Sequence, residues 1–521
     1  MFAKINTAGL FGVEGYPVVI EADVRNGLPG MTLTGLLSTE TREAQARVMN
    51  ALGNSGLHPE PKKITVNFSP AGMRKEGTAY DLPIAVAVLC AYGMLREQNC
   101  AGTAFFGELG LDGSLKGVRG ALPLAFALKE AGFTRVVTAA ENAAEAALVE
   151  DMQVFGCRDI REVMELLRRA GNGWVPASVL EAELPSGPSE GSSRPDFSDV
   201  RGQKYLKRAA EIAASGMHNL LMSGPAGTGK TMIAKCLPSI LPEMTREENL
   251  EISKIYSICG LLPKGHPLLD ARPFRSPHHS ITEPAFAGGG IAVLPGEMSL
   301  ASGGILFLDE LPLFKRAVLE QLRQPLEDHK ITITRMYGSC VYPADFLLVA
   351  ACNNCRCGFY PDLKKCRCTR GQIQAYIGRI SKPLMERIDL CAEANPLRVD
   401  EIVGKRKADE EEASAVIRKR VEAVHALQKE RYKGEPFRFN SRLGIREIEK
   451  YCVLGRSETA YLKDAFTRKG LSGRTYHKIL KVARTIADME GSERIREEHL
   501  AEAVELRSID DRLFGGGIYN E

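Results

Sequence analysis

The stretch GPAGTGKT, residues 224–231, constrains this chain more than any other part of its sequence. It matches G-x-x-x-x-G-K-[ST], follows the short apolar run HNLLMSG and precedes the helical pattern KTMIAKCLPSIL, which is the context that this motif requires. Glycines let the backbone curl so that successive N–H groups face phosphate oxygens, and the helix N-terminus adds positive potential. The motif therefore predicts a strand–loop–helix unit that binds ATP.

The chemistry of such a loop assigns roles to particular side chains. Lys230 would reach the β- and γ-phosphates and Thr231 would hold Mg²⁺. The apolar run ILFLDE predicts an interior strand that ends at Asp309, a second Mg²⁺ partner acting through water, and at Glu310, placed to polarise the attacking water. The backbone of the loop would cradle the phosphates through Gly224, Pro225, Ala226, Gly227, Thr228 and Gly229.

The length of 521 residues predicts two to four domains, because single cores rarely organise more than about 250 to 300 residues. A Gly-, Pro- and Ser-rich stretch without period, residues 171–195, predicts a linker. Residues 1–170 mix strand and helix patterns and predict an α/β domain. Strands and helices alternate over residues 196–395, which is typical of a parallel sheet, and residues 396–521 carry charged amphipathic patterns that predict a helical domain. The chain is thus expected to be a multi-domain α/β protein.

Charge and hydropathy exclude several classes of protein. The net charge of +3 gives no overall basicity, so any nucleic-acid site must be local. The N-terminus lacks a sustained apolar export signal, and the longest apolar stretch, residues 82–95, is shorter than a membrane span and predicts a buried helix. Thirteen cysteines, mostly scattered singly, favour the reducing cytoplasm.

Five of those cysteines fall within ACNNCRCGFYPDLKKCRC, residues 351–368. The paired C-x-C arms could close a tetrahedral, structural Zn²⁺ site, although free buried thiols and a redox disulfide remain alternatives. Metal binding would stiffen a loop that is too small to have its own core. The four candidate ligands are Cys355, Cys357, Cys366 and Cys368.

Several stretches in this order resemble the magnesium-chelatase-like AAA+ ATPases, and most closely the ComM family, also called YifB: DVRGQ, GPAGTGKT, RPFRSPHH, GEMSLASGGILFLDELPLF, SKPLMERIDL and GRTYHKILKVARTIADMEG. The N-terminal stretches GLPGMTLTGL and KEGTAYDLPIA share the resemblance, which thus covers nearly the whole chain.

The resemblance implies a central AAA+ P-loop domain with a C-terminal helical lid, assembled as a hexamer. It assigns Asn353 to the sensor-1 position that orients water against the γ-phosphate, where the family often has Met-Asn-Pro and this chain has Cys-Asn-Asn. It makes Arg387 an arginine finger that reaches the neighbouring subunit's ATP, and Arg474 the sensor-2 residue. Charge spread over the transferring phosphoryl oxygens calls for such cations.

The N-terminal domain resembles the Lon-protease-type (S5-like) fold, which raises the rival hypothesis of ATP-dependent proteolysis. That chemistry needs a serine–lysine dyad. The segment from Lys75 to Ala85 contains no serine, and the expected lysine position falls on an apolar residue near Leu122, with Lys116 left open. A structural or assembly role is therefore favoured.

The family resemblance implies a helicase that promotes branch migration of incoming DNA in natural transformation, with single-stranded or branched DNA as partner and other recombination proteins unknown. The alternative is a chelatase-type ATPase that remodels a protein partner without DNA. Two elements are expected to face a central pore: an insert over residues 258–290 and a hairpin over residues 330–346 with its tip at residues 337–339. The candidate DNA contacts are Lys264, Arg335, Tyr337, Lys364 and Lys365.

Overall fold

A computed structural model describes residues 1–169, 176–177, 195–263, 266–290, 293–335, 338–396, 412–469, 471 and 473–514. Nearly all of the predicted linker lies outside these residues, as do the candidate DNA contacts Lys264 and Tyr337 and the side chain of Arg335. No helix in the described ranges has the length and apolar character needed to cross a bilayer. The overall class is mixed α/β, with parallel strand pairing in both large sheets.

The N-terminal part folds around a seven-stranded sheet in the order β3-β4-β2-β1-β5-β8-β9. Alternating burial along β2 sends every second side chain into the same apolar layer, as the β-branched run PVVIEADV predicts. The elements are β1 Phe2–Phe11, β2 Glu14–Arg25, β3 Gly30–Thr34, α1 Thr39–Asn54, β4 Lys63–Ser69, α2 Asp81–Ala91, β5 Thr103–Phe105, β6 Glu108–Leu109, β7 Leu115–Lys116, α3 Ala121–Glu130, β8 Arg135–Ala139, α4 Ala140–Ala146, β9 Gln153–Cys157 and α5 Ile160–Arg168.

Helices cover both faces of this sheet. Helices α1, α2 and α5 contribute to the apolar layer on one face, while α3 and α4 contribute to the layer on the other. Every residue of α2 is buried, which confirms the buried helix predicted from its continuous apolar sequence. Leu122 is buried in α3, and Lys116 lies exposed on β7.

The central part is built on a five-stranded parallel sheet in the order β11-β14-β17-β10-β18. Side chains alternate along these strands between two apolar layers, which makes the sheet the middle of the unit. The elements are α6 Lys204–Gly216, β10 Leu220–Ser223, α7 Lys230–Cys236, α8 Arg246–Cys259, β11 Phe274–Arg275, α9 Glu283–Ala287, β12 Gly288–Gly289, β13 Leu294–Pro295, α10 Glu297–Leu300, β14 Ile305–Leu308, α11 Arg316–Glu320, α12 Pro325–Asp328, β15 Lys330–Arg335, β16 Gly338–Pro343, β17 Leu347–Cys352, α13 Arg370–Ile377, α14 Lys382–Met385 and β18 Leu390–Glu393.

Two expectations about this part need correction. The segment predicted as an insert contains a core element, because β11 pairs with β14 as the edge strand of the sheet. The predicted hairpin of β15 and β16 is confirmed, but Ser339 pairs with Thr334 inside the ladder, so the predicted placement of Ser339 at the tip is wrong.

Helices form the C-terminal part, as the charged amphipathic patterns predict. Their apolar stripes pack against α6 and one face of the central sheet in a single core. The elements are α15 Ser414–Arg431, α16 Ile445–Tyr451, α17 Arg456–Lys469, α18 Gly473–Met489 and α19 Glu497–Phe514.

The N-terminal sheet unit contacts the central unit through α3 and α8. The backbone N–H of Gly120 donates to the Ser257 carbonyl at 3.1 Å, and the Ser257 hydroxyl bonds the Glu145 carboxylate. The Lys254 ammonium lies 4.1 Å from the centre of the Phe126 ring. A cavity of about 720 Å³ opens beside this contact, between the N-terminal sheet and the hairpin.

Candidate nucleotide site and four-cysteine knuckle

The GPAGTGKT loop, residues 224–231, follows β10 in the interior of the parallel sheet. Asp309 follows β14 and Asn353 follows β17, so all three segments meet at the carboxyl edge of the sheet, where ligands bind in open α/β folds. They enclose a cleft of about 700 Å³, here called the nucleotide cleft. Its lining consists of Ala226, Gly227, Thr228, Gly229, Lys230, Thr231, Met232, Ser276, Pro277, His278, His279, Asp309, Glu310 and Asn353.

Lys230 is held inside this cleft by its own loop. Its ammonium donates to the carbonyls of Gly224 and Pro225 at 2.9 and 2.8 Å and to the Asn353 side-chain oxygen at 3.2 Å. Only 7% of the residue is exposed, and burial lowers the pKa of the Lys230 ammonium. The charge of Lys230 is therefore shielded from water inside the cleft.

Thr231, Asp309 and Glu310 lie where a metal ion and an attacking water would bind in the cleft. The Thr231 hydroxyl donates to the Asp309 carboxylate at 2.8 Å, so two oxygen ligands suited to Mg²⁺ lie side by side. Glu310 adopts the left-handed conformation with φ of +51°, which costs a non-glycine residue on the order of 1–3 kcal/mol. Its carboxylate borders the cleft, 4.0 Å from the His279 ring nitrogen.

The four sulfur atoms of Cys355, Cys357, Cys366 and Cys368 lie within 4.8 Å of one another. We call residues 355–368 the four-cysteine knuckle. Sulfur separations of 3.2 Å for Cys355–Cys357, 3.7 Å for Cys355–Cys366 and 3.5 Å for Cys357–Cys366 approach the roughly 3.8 Å edge of a tetrahedron with Zn–S bonds of about 2.3 Å. The arrangement thus fits a tetrahedral thiolate metal centre.

The ligand sulfurs have further support from the surrounding chain. Cys355 is fully buried and its sulfur accepts the Tyr360 N–H at 3.4 Å. The Phe359 N–H and the neighbouring cysteine thiols lower the pKa of the exposed Cys357 thiol, while the same thiol contacts raise the pKa of Cys366, so within the cluster the thiolate is favoured at Cys357. Cys355 and Cys366 pack with Ile373, Tyr376 and Ile377 of α13, so the knuckle rests on its own small apolar cluster.

Family models for the magnesium chelatase subunit ChlI match this chain in three places. Residues 196–402 match the model for magnesium chelatase subunit ChlI, residues 20–142 match that for subunit ChlI of Mg-chelatase, and residues 411–507 match its C-terminal model. The chain is 42% identical over 511 residues to the uncharacterized protein YifB of Salmonella typhimurium, covering 98% of both chains. It is 40% identical over 507 residues to the competence protein ComM of Haemophilus influenzae, covering 97% of both.

The chain belongs to the ComM/YifB family of magnesium-chelatase-like proteins. The uncharacterized protein YifB of Escherichia coli is 39% identical over 509 residues, covering 98% of this chain and 97% of its own. These matches support an AAA+-type ATPase, and the family suggests ATP and Mg²⁺ as its ligands.

The two arginines assigned through the family lie away from the described lining of the nucleotide cleft. The Arg387 guanidinium pairs with Glu327 at 2.6 Å and donates to the carbonyls of Arg323 and Pro383, at 3.0 and 2.8 Å. Arg474 is 70% exposed and pairs with Glu386 at 2.5 Å.

The C-terminal helices hold the segment that carries Arg387. The Lys478 ammonium of α18 donates to the Ile388 carbonyl and pairs with Asp389, both at 2.9 Å, and Arg507 of α19 donates to the Met385 carbonyl at 3.2 Å. Burial would raise the pKa of Asp389, but Lys478 beside it holds that pKa below its usual range. The pair is thus a charged link between the C-terminal helices and the segment that carries Arg387.

Among the cleft residues that sequence reasoning missed are two histidines, His278 and His279. They follow β11, and their rings lie 4.0 Å apart. A two-residue strand has no recognisable alternation, so its adjacency to β14, the strand before Asp309, could not be inferred. The feature of the sequence that could have indicated them is the pair of adjacent histidines at the end of RPFRSPHH, residues 272–279.

Replacing Lys230 by alanine is expected to lower nucleotide affinity by roughly 10- to 150-fold and turnover with it, because one charge-assisted hydrogen bond is worth about 1.5–3 kcal/mol. Binding of a fluorescent ATP analogue and phosphate release would be measured on the same preparations. Lys235→Ala, which removes an exposed lysine from the same helix, serves as control. Wild-type affinity in Lys230→Ala would contradict the assignment.

Proposed function

We propose that this chain is a ring-forming AAA+ motor that uses ATP hydrolysis to move on DNA, a hexameric helicase that promotes branch migration during natural transformation and homologous recombination. The convergence of Lys230, Thr231, Asp309, Glu310 and Asn353 on one cleft carries the ATPase part of this proposal. A relative that matches over nearly its whole length is named a competence protein, which supports the DNA part.

The proposed organisation keeps the predicted boundaries. Residues 1–170 would form a Lon-protease-like domain with a structural or assembly role, residues 196–395 the AAA+ core and residues 396–521 the lid. Asn353 would act as sensor 1, Arg387 as the trans-acting finger and Arg474 as sensor 2. The cytoplasm is the proposed location, since many buried free thiols suit a reducing compartment.

We include a structural Zn²⁺ ion in the four-cysteine knuckle in this proposal. The three sulfur separations of 3.2 to 3.7 Å approach those of a tetrahedral thiolate site, and each ligand would bind as thiolate. A bound metal supplies folding free energy to a loop that has only a small apolar cluster beneath it.

DNA contact is supported by the charge of the knuckle surface. Lys364 and Lys365 are exposed there, and Lys365 approaches the Asp362 carboxylate only to 3.7 Å. Arg356 and Arg367 are exposed on the same segment, and Arg370 is exposed at the start of the adjoining helix α13. Such a cluster can bind phosphates although the chain as a whole is nearly neutral.

The Lys364→Ala/Lys365→Ala double variant is expected to bind forked DNA more weakly and with a shallower salt dependence. Removing two phosphate contacts lowers the slope of log K against log salt by about 1.4 to 1.8. DNA binding by anisotropy at several salt concentrations and ATP-driven strand displacement on branched DNA would be measured together. Arg335→Ala tests the hairpin in the same assays.

A matched control is Lys429→Ala/Lys433→Ala, which removes two exposed lysines from the C-terminal part. Unchanged salt dependence in the knuckle variant would contradict the proposed DNA contact. Salt-insensitive or absent DNA binding by the wild-type protein would instead favour a chelatase-type ATPase that remodels a protein partner.

A further inference from the structure

The four-cysteine knuckle touches the phosphate-binding loop directly. The backbone N–H of Ala226 donates to the Gly358 carbonyl at 2.9 Å. Gly358 itself is tied to the first cysteine of the knuckle, because its N–H donates to the Cys355 carbonyl at 3.1 Å. A short chain of backbone hydrogen bonds therefore runs from a candidate metal ligand to the loop that would hold the nucleotide.

The approach of the two loops leaves no room for a side chain at Gly358. A Cβ atom there would lie 2.9 Å from the Ala226 Cβ, closer than such atoms approach in folded proteins. Gly358 also has φ of +80°, a conformation in which any L-residue is strained. Both the close contact and the backbone conformation therefore require glycine.

The knuckle is joined to the nucleotide cleft at a second point. Asn353, which accepts a hydrogen bond from Lys230 at 3.2 Å, lies two residues before Cys355. One end of the knuckle thus continues from the sensor-1 position, while its turn at Gly358 holds Ala226 at the start of the phosphate-binding loop.

We propose that the four-cysteine knuckle is a built part of the nucleotide site and that Gly358 is a positioning residue for ATP. Its carbonyl fixes the Ala226 N–H and so sets the direction of the amides that follow in residues 227–231. An anion site made of backbone amides binds tightly only when those amides are already oriented. This inference rests on the proposed ATPase function and on the proposed metal.

The state of the knuckle should therefore determine nucleotide affinity. With the thiolates bound to a metal, the turn at Gly358 is fixed relative to Cys355. Without the metal, the turn loses the constraint that holds its carbonyl, and the phosphate-binding loop must be ordered at the moment when ATP binds. Ordering on binding weakens affinity more than it changes the rate of the chemical step.

The experiment measures zinc content and affinity for a fluorescent ATP analogue in the full-length protein with excess Mg²⁺. Wild type is expected to hold about one zinc per chain. Gly358→Ala should keep its zinc but bind the analogue at least about tenfold more weakly, with a maximal turnover rate within about twofold of wild type. The second variant, Cys357→Ser, should lose zinc and weaken binding to a similar extent.

Two further variants separate positioning from general damage. Gly358→Ala/Ala226→Gly removes the Cβ that would collide and should regain part of the affinity, about threefold. Gly371→Ala is the matched control, because a Cβ there meets nothing within 4 Å and the site lies on the adjoining helix α13. It should behave as wild type.

A zinc-selective chelator applied to the wild-type protein avoids mutation altogether and should reproduce the Cys357→Ser result. Wild-type affinity in both Gly358→Ala and the zinc-depleted protein would overturn the inference, even if the protein hydrolyses ATP. Wild type that binds no ATP would overturn the proposed function and this inference together. If the wild-type protein holds no zinc and Gly358→Ala still weakens binding of the ATP analogue, the positioning role is supported and the metal's part in it is overturned.

Discussion

Arg387→Ala is expected to bind ATP within about twofold of wild type and to hydrolyse it about 10³-fold more slowly or worse, the range known for a missing arginine finger. Its guanidinium lies outside the described lining of its own cleft and pairs with Glu327, so its removal leaves the phosphate-binding loop intact. A cation supplied to a neighbouring subunit would affect the transition state and not ground-state binding. ATP-analogue binding and steady-state phosphate release would be compared.

Mixing two inactive variants gives the sharpest test of this role. Arg387→Ala protomers retain Glu310, and Glu310→Gln protomers retain the finger, so mixed rings should recover measurable turnover. Arg494→Ala, which removes an exposed arginine elsewhere, should be as active as wild type. Equal turnover by Arg387→Ala and wild type would contradict a trans-acting finger.

Glu310→Gln is expected to lower turnover by about 10²- to 10⁴-fold while Mg²⁺–ATP binding persists, because the amide keeps the shape of the carboxylate but cannot take a proton from water. Glu310 borders the cleft beside Asp309, whose carboxylate is already engaged by the Thr231 hydroxyl. Single-turnover hydrolysis and equilibrium binding would separate the two effects.

Glu130→Gln, a change at an exposed acid of the N-terminal part, controls for the loss of one negative charge. Asp309→Asn should differ from Glu310→Gln by weakening the Mg²⁺ dependence of binding. Undiminished hydrolysis in Glu310→Gln would show that another group activates the water, and His279, 4.0 Å from Glu310, would be the next residue to replace.

The sequence was sufficient to predict how the phosphate-binding loop is placed. Its apolar strand, its glycines and the helix that begins at Lys230 are all local signals, and β10 and α7 lie where these signals predict them. Asp309 could be added because the strand before it is a continuous apolar run of four residues, whereas Asn353 was assigned through the family resemblance; both side chains border the cleft.

Contacts between distant segments could not be predicted in this way. The edge strand β11 has two residues, too few for a periodic pattern, so its pairing with β14 emerges only from the packed sheet. The hydrogen bond from Ala226 to Gly358 joins backbone atoms, so the glycine at position 358 is the one residue type that could indicate it. The pairing of Arg387 with Glu327 likewise depends on where the segment around Arg387 folds back against the core.

The C-terminal helices bind the segment from Met385 to Asp389, so the position of that segment is coupled to theirs. Since Lys478 binds the Ile388 carbonyl and Asp389, and Arg507 binds the Met385 carbonyl, a displacement of these helices must move Arg387 with them or break the partly buried Lys478–Asp389 ion pair. In the proposed ring, a displacement of one protomer's C-terminal helices would then change where its Arg387 lies relative to the neighbouring subunit.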